Sequence, residues 1–213
     1  MTGCNIIEGY GLTETSPAVA INPPGNVKIG TIGWPLKATE VLIIDTAGAA
    51  APTGVAGELC VKGPQVMQGY WQRERETRSC FTDDGYLITG DVAVREEDGR
   101  LRIVDRAKDM IIVSGFNVYP NEIEDVVTSH PGVIECAAIG VKDERSGEVP
   151  KLFVVPKDPG LTEKEVIKWC KEHLTNYKVP KSVIFVDDLP KSNVGKVLRR
   201  MLKDDAGQQA NVA

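Results

Sequence analysis

Apolar residues follow two different rhythms along this chain. In the first half they come in short runs cut by glycine and proline, the pattern of β-strands bounded by turns. Asn5-Ile6-Ile7-Glu8 reads as a strand entering a glycine-rich stretch, and Glu40 to Asp45 and Gly57 to Gly63 read as strands separated by a small-residue loop. Val92 to Arg95 and Arg100 to Val104 predict a hairpin about Asp98-Gly99, the strongest local turn signal here. Residues 19 to 104 therefore read as β-rich, and strands this short and closely spaced predict a small barrel or curled sheet.

After residue 110 helical spacing enters. Ile111-Ile112-Val113 predicts a strand and Gly115-Phe116-Asn117 a turn. Pro120 suits the first position of a helix with Ile123, Val126 and Val127 on one face. Val133 to Val141 and Lys151 to Val155 predict strands joined by a polar loop that contains glycine. Thr162 and Glu165 form a capping box opening a helix whose Val166, Cys170 and Leu174 share a face. Val183 to Val186 reads as a strand, and the polar loop up to Lys196 leads into a helix from Val197 to about Lys203. The tail from Asp204 onward has little to bury and is expected to fray. Alternating helix and strand after an all-β segment predicts a second, α+β domain.

Between the two rhythms lies a charged knot, Asp105-Arg106-Ala107-Lys108-Asp109, flanked by the apolar runs Leu101 to Val104 and Met110 to Val113. It contains no Gly, Asn or Pro to turn a hairpin. Five residues of this kind between two buried strands predict a link between two cores, a hinge whose charges also touch a ligand.

Composition narrows the functions. The net charge is −5, with 9 basic and 13 acidic residues before Asp105 and 16 and 17 from it onward. A nucleic-acid binder would carry a basic face, so that class is excluded. No apolar run is long enough to span a bilayer, and the N-terminus lacks the regions of a signal peptide. The cysteines, at 4, 60, 80, 136 and 170, are odd in number and form no C-x-x-C pair, which predicts buried thiols rather than zinc or disulfides. His130 and His173 fall at predicted helix ends.

Four places could carry chemistry. In Gly9-Tyr10-Gly11-Leu12-Thr13-Glu14 the glycines, Gly11 among them, let backbone approach a ligand. Thr13 and Glu14 then suit a phosphate oxygen and a hard cation, though a plain glycine turn with a capping threonine fits equally. Asp91, just after Thr89-Gly90, could accept two hydrogen bonds from a vicinal diol, or merely cap a turn. Lys196 follows Gly195 at a helix start, where a cation beside backbone N–H groups suits an anionic centre. Its plain alternative is a solvated lysine in a basic run with Lys191, Arg199 and Arg200.

Taken together, Gly9 to Glu14, Thr89-Gly90-Asp91, Asp105 to Asp109, Ser114-Gly115 to Pro120 and Pro190 to Lys196 resemble the adenylate-forming superfamily in order and spacing. Within it the chain resembles the C-terminal portion of bacterial long-chain fatty-acid–CoA ligases. The nearest matches are Gly57 to Met67, Val113 to Glu124 and Lys191 to Lys196. The resemblance implies an α+β protein: residues 1–104 as the end of a large domain, β-rich (a distorted barrel) from about residue 30, residues 105–109 as hinge, and residues 110–213 as a small mixed α/β lid.

It also implies ATP and Mg2+ as cofactors, CoA as co-substrate, a fatty acid as partner and a cytoplasmic location, with peripheral association at the inner membrane left open. Tyr10 would stack on adenine, and Gly11 would line the nucleotide site. Thr13 would meet the α-phosphate and Glu14 the magnesium. Asp91 would grip the ribose diol and Arg106 the ribose and phosphate side. Lys108 would be the hinge residue, Lys196 would stabilise charge during adenylation, and Gly115 would line the CoA channel.

Two departures follow from the same comparison. The Ser-, Thr- and Gly-rich phosphate loop of that superfamily is missing, and no G-x-x-x-x-G-K-[ST] loop occurs. Tyr86 and Ile88 stand where relatives often carry Trp and His. These 213 residues alone are therefore expected not to catalyse ligation. Two alternatives stay open: a ligase for another carboxylic acid, aromatic or amino acids included, and a non-catalytic nucleotide-binding module.

Overall fold

Strand signals in the first half resolve into two antiparallel sheets. The computed structural model describes residues 4, 6–193 and 195–210, the last six as backbone. The chain divides into two compact units, Met1–Ala107 and Lys108–Ala213.

In the first unit, β1 (Gly9–Gly11), β2 (Ala18–Ile21) and β3 (Trp34–Pro35) make one sheet. β4 (Glu40–Ile44), β5 (Gly57–Lys62), β6 (Leu87–Arg95) and β7 (Leu101–Arg106) make the other, with the short helix α1 (Glu74–Ser79) between β5 and β6 in sequence. Among the described residues the sheets meet at one bridge, Gly33 to Leu101, and pack Val19, Leu59, Val61, Ala93 and Leu101 into one core. The expected barrel does not close. Among the described residues no ladder joins β4 to the first sheet, and β3, two residues long, is too short to carry pairing around.

Three local expectations change here. Asn5 lies outside the described residues, and Ile6 to Glu8 are not strand; the strand is the glycine stretch itself, β1. Thr89-Gly90-Asp91 does not connect strands but lies within β6. Asp105 and Arg106 likewise belong to β7, which leaves a 3-10 turn, Ala107–Asp109, as the link. Their charge is tolerated because the strand has partners for it: Asp105, 2% exposed, accepts from the Arg106 N–H at 2.7 Å.

The second unit begins with a hairpin, β8 (Ile111–Val113) and β9 (Phe116–Val118), then α2 (Pro120–Thr128), which starts on Pro120 as its fixed φ favours. β10 (Val133–Asp143) and β11 (Gly147–Pro156) form a long antiparallel pair, followed by α3 (Glu163–His173), β12 (Ser182–Phe185) and α4 (Arg199–Ala210). β12 runs parallel to β11, against which the first hairpin also pairs. The near-continuous apolar runs of β10 and β11 reflect cover on both faces. Cys136, Ala138, Leu152 and Val154 face Ile123, Val127, Val166 and Cys170 of α2 and α3. Ala137, Ile139, Phe153 and Val155 face Leu189 and Leu202.

The Thr162–Glu165 capping box forms in both directions, with Thr162 N donating to Glu165 at 2.9 Å and Glu165 N to Thr162 Oγ1 at 3.4 Å. Elsewhere the local signals mislead. Phe116 and Asn117 are strand, because Ser114 and Gly115 alone make the turn with φ of 50° and 85°, the two left-handed residues that a tight hairpin needs. The last helix starts at Arg199 instead of Val197, and its backbone continues through Ala210 where fraying was expected; residues 211–213 lie outside the described residues. Cys60, Cys136 and Cys170 are buried thiols as expected, whereas Cys80 is only half-buried and Cys4 is exposed; His173 Nδ1 lies 2.8 Å from the Trp169 carbonyl at the end of α3. No helix among the described residues is long and apolar enough to cross a membrane.

Separate cores predict separable stability. Ile123→Ala, at a fully buried position in the second core, should destabilise that unit by about 2–5 kcal/mol. Calorimetry should show the loss in one transition while the transition of the first unit stays in place.

Candidate functional site

A mismatch in strand length builds the first half of the site. β5 and β6 pair Cys60 with Ile88 and Glu58 with Val92, so Leu59 alone faces three residues, Thr89, Gly90 and Asp91. The extra residues bulge, and Gly90 takes a φ of +74° that a side chain would resist. Thr89 repairs the interrupted ladder. Its hydroxyl donates to the Leu59 carbonyl at 2.8 Å and accepts from the Asp91 N–H at 3.1 Å, one donor and one lone pair each used. The Thr-Gly-Asp motif is thus a device that turns Asp91 out of the strand's alternation.

Asp91 is 8% exposed, and a carboxylate so buried needs partners. Tyr10 Oη donates to its Oδ2 at 2.6 Å. Arg106, directly opposite it on β7, brings Nε to 3.6 Å from Oδ1. Burial first, then the bond to Asp91, pushes the Tyr10 phenol above its ordinary range. Glu58 is a fourth member that sequence reasoning missed. Burial and then the charge of Asp91 raise its carboxyl, while a Gly90 N–H draws it down. Only the register of β5 against β6 brings it there, so no signal along the sequence marks it. An ionised carboxylate has about four acceptor positions, and Tyr10 and Arg106 leave Asp91 with capacity for a diol. Arg106, with its side chain half exposed, adds positive charge beside it.

Thr13 and Glu14 sit in a 3-10 turn, Thr13–Thr15, directly after β1. Thr15 is the buried anchor: its hydroxyl bonds the Leu12 N–H at 2.9 Å and the Pro17 carbonyl at 2.9 Å, leaving Thr13 exposed. Glu14 Oε1 accepts from Tyr70 Oη at 2.8 Å. That bond, more than burial, pushes the Tyr70 phenol up to about 12. Gly11 has a reason other than a ligand, since a Cβ there would lie 1.5 Å from the Pro17 carbonyl oxygen. No three His, Cys, Asp or Glu side chains gather into a metal cluster among the described residues.

The other candidates belong to the second unit. Lys108 is exposed in the 3-10 turn at the unit boundary. Gly115 forms the hairpin tip and, with Ile112, Ser146 and Glu148, lines a surface cavity; next to it Phe116 stacks on Tyr177 at 4.7 Å. Lys196 closes a turn in which Ser192 N donates to its carbonyl at 2.8 Å, and helix α4 opens only three residues later. It is therefore not at a helix start as expected. The basic run also divides. Lys191 pairs with Glu135 and Asp188, and Arg199 with Glu124 and Asp109, while the Lys196 ammonium is exposed with no ion-pair partner among the described residues.

Residues 1–71 match the family model for AMP-binding enzymes, and residues 122–196 that for the AMP-binding enzyme C-terminal domain. A long-chain-fatty-acid–CoA ligase of Salmonella typhimurium is 59% identical over 207 residues, 97% of this chain and 37% of that protein. A feruloyl-CoA synthase of Amycolatopsis is 44% identical over 92% of this chain and 40% of its own length. Among solved structures, ATP-bound MatB from Rhodopseudomonas palustris has a TM-score of 0.90 at 40% identity, with 96% of this chain and 41% of that one covered. The o-succinylbenzoate CoA synthetase of Bacillus subtilis, in complex with its acyl-adenylate intermediate, has a TM-score of 0.85 at 36% identity over 94% of this chain and 41% of its own. The chain thus spans under half the length of the relatives it matches.

Two outcomes follow for the first unit. Thr89→Val leaves the Leu59 carbonyl without its donor and the Asp91 N–H without the hydroxyl, at a cost of about 1–3 kcal/mol in urea unfolding, and Thr89→Ser should recover most of it. Tyr70 should ionise near pH 12, read as the difference in ultraviolet titration between the parent and Tyr70→Phe, and Glu14→Gln should return it toward 10. The raised value favours the neutral phenol in the folded state. Its contribution is full below pH 10 and is lost as the pH rises through 12.

Proposed function

We propose that this chain, which belongs to the AMP-binding enzyme family, forms part of a long-chain fatty-acid–CoA ligase that converts ATP, fatty acid and CoA to acyl-CoA, AMP and diphosphate. The observation that carries the reading is the convergence of Tyr10 and Arg106 on the buried Asp91 carboxylate, which keeps acceptor positions for a diol. Identity of 59% to fatty-acid ligases against 44% to a feruloyl-CoA synthase supports an aliphatic over an aromatic acid. A cytoplasmic enzyme that meets its acyl substrate at the inner membrane surface suits that substrate.

In this reading the ribose hydroxyls donate to Asp91, the Tyr10 ring stacks on adenine and Arg106 faces the ribose and phosphate side. Thr13 donates to an α-phosphate oxygen. Mg2+ is bound by one or two carboxylates with phosphate oxygens completing its shell, so Glu14 alone fits as its protein ligand. When bound there the ion would offset phosphate charge. The fatty-acid carboxylate then attacks the α-phosphorus, the bond to the β-phosphate breaks and diphosphate leaves. Two anions meet in that step, and Lys196, an exposed cation, offsets their repulsion.

In the second step the CoA sulfur attacks the acyl carbonyl and AMP leaves. A thiol needs a clear path along the Gly115 hairpin, with the lysine withdrawn. Rotation of the second unit about Lys108, beside the unit boundary, meets both demands, as lid motions do elsewhere.

The test uses the complete ligase that carries this chain. It should catalyse ATP–diphosphate exchange that depends on a long-chain fatty acid, and Lys196→Ala should slow it about 100- to 1000-fold. Thioester formation from supplied acyl-adenylate should be spared. Full exchange in Lys196→Ala would remove Lys196 from adenylation, and no exchange in the complete protein would favour a non-catalytic nucleotide module. The 213-residue chain alone should give no exchange.

A further inference from the structure

Arg199 opens helix α4, three residues after Lys196, and its guanidinium is mostly buried with a side chain 16% exposed. Nε and Nη2 grip the two oxygens of Glu124 at 3.1 and 2.7 Å, a bidentate pair, and Nη2 also donates to Asn121 Oδ1 at 2.7 Å. Both partners are on α2. Glu124 in turn accepts from the Ala138 N–H, on the edge of β10, at 2.8 Å. The remaining arm of Arg199, Nη1, lies 3.6 Å from Asp109 Oδ2, and Asp109 is the residue after Lys108, with its own side chain 15% exposed.

One cation thus serves two carboxylates of different rank. Glu124 takes the strong, directional bonds and anchors α4 to α2 and the sheet. Asp109 is held at ion-pair distance with no hydrogen bond to it among the described residues, so Coulomb attraction in a mostly buried setting retains it. We propose that Arg199 is a positioning residue: its pair with Asp109 fastens the turn at the unit boundary to the helix behind the Lys196 turn, so that pivot and lysine move as one piece. The inference rests on the adenylation role of Lys196 for its purpose, but the fastening itself stands on the contacts within the second unit.

Asp109→Asn tests it, because it removes the charge and leaves the Arg199–Glu124 pair intact; Asp109→Glu keeps the charge and serves as the rescue. Hydrogen exchange of the 213-residue chain should accelerate about fivefold or more at residues 107–110 in Asp109→Asn, with α2 and β10 unchanged, and match the parent in Asp109→Glu. In the complete ligase Asp109→Asn should lower kcat of adenylation on the order of tenfold with KM for ATP held within about twofold, and Asp109→Glu should restore it. Unchanged exchange at residues 107–110, or acceleration spread over the whole second unit, would overturn the fastening. Faster local exchange with unaltered kcat would overturn the positioning role. A complete ligase that performs no adenylation would sink the reading of Lys196, and hydrogen exchange would then decide the fastening alone.

Discussion

Three residues set against one, Thr89 to Asp91 opposite Leu59, create the condition on which the first unit depends. The surplus can be absorbed only where a residue accepts positive φ and where a side chain replaces the lost ladder bonds. Gly90 and Thr89 meet those needs, and the result brings a carboxylate to the same place as a strand-borne phenol and a guanidinium. Remove the bulge and Asp91 returns to the strand's ordinary alternation. Gly11 of β1 answers a second constraint of this kind, close passage of the Pro17 carbonyl, at the point where the pairing of β1 with β2 shifts register beside Tyr10.

The second unit solves a different problem. A two-stranded ribbon as apolar as β10 and β11 has to be covered on both faces, and α2, α3 and α4 do so. Gly115, Lys196 and Asp109 lie in turns of this same unit. Charge sorts the cations among them. Arg199 and Lys191 are engaged by carboxylates, and Lys196, five residues from one and three from the other, is left to the solvent. A basic run that looks uniform in sequence is in fact mixed: Lys191 and Arg199 are held by carboxylates, while Lys196 and Arg200 are exposed with no ion-pair partner among the described residues.

Much of the local structure was legible before any fold was known. Pro120, the Thr162–Glu165 box and the Asp98-Gly99 turn each encode their conformation within a few residues, and all three form. Expectations failed where the deciding partner was distant in sequence. Phe116 and Asn117 looked like a turn because Gly115 precedes them, but pairing with β8 extends them. Arg199 read only as one member of a basic run, because nothing adjacent to it predicts Glu124, 75 residues away. Glu58 was missed as a member of the site for the same reason, since strand register is not a property of either strand by itself.

By itself, then, the sequence determined which chemical groups are present, their order, and the capping and turn geometry that short-range sterics and hydrogen bonds dictate. Tertiary structure decided which of those groups meet. The Tyr10, Asp91 and Arg106 cluster joins residues 81 and 15 positions apart, through the packing of one sheet on the other, the pairing of β6 with β7 and a bulge whose energy depends on both sides of the ladder. Burial sharpened the same choice. A carboxylate taken out of water must be partnered, so packing determined the environment of Asp91 and Glu124, while the sequence supplied only their identities.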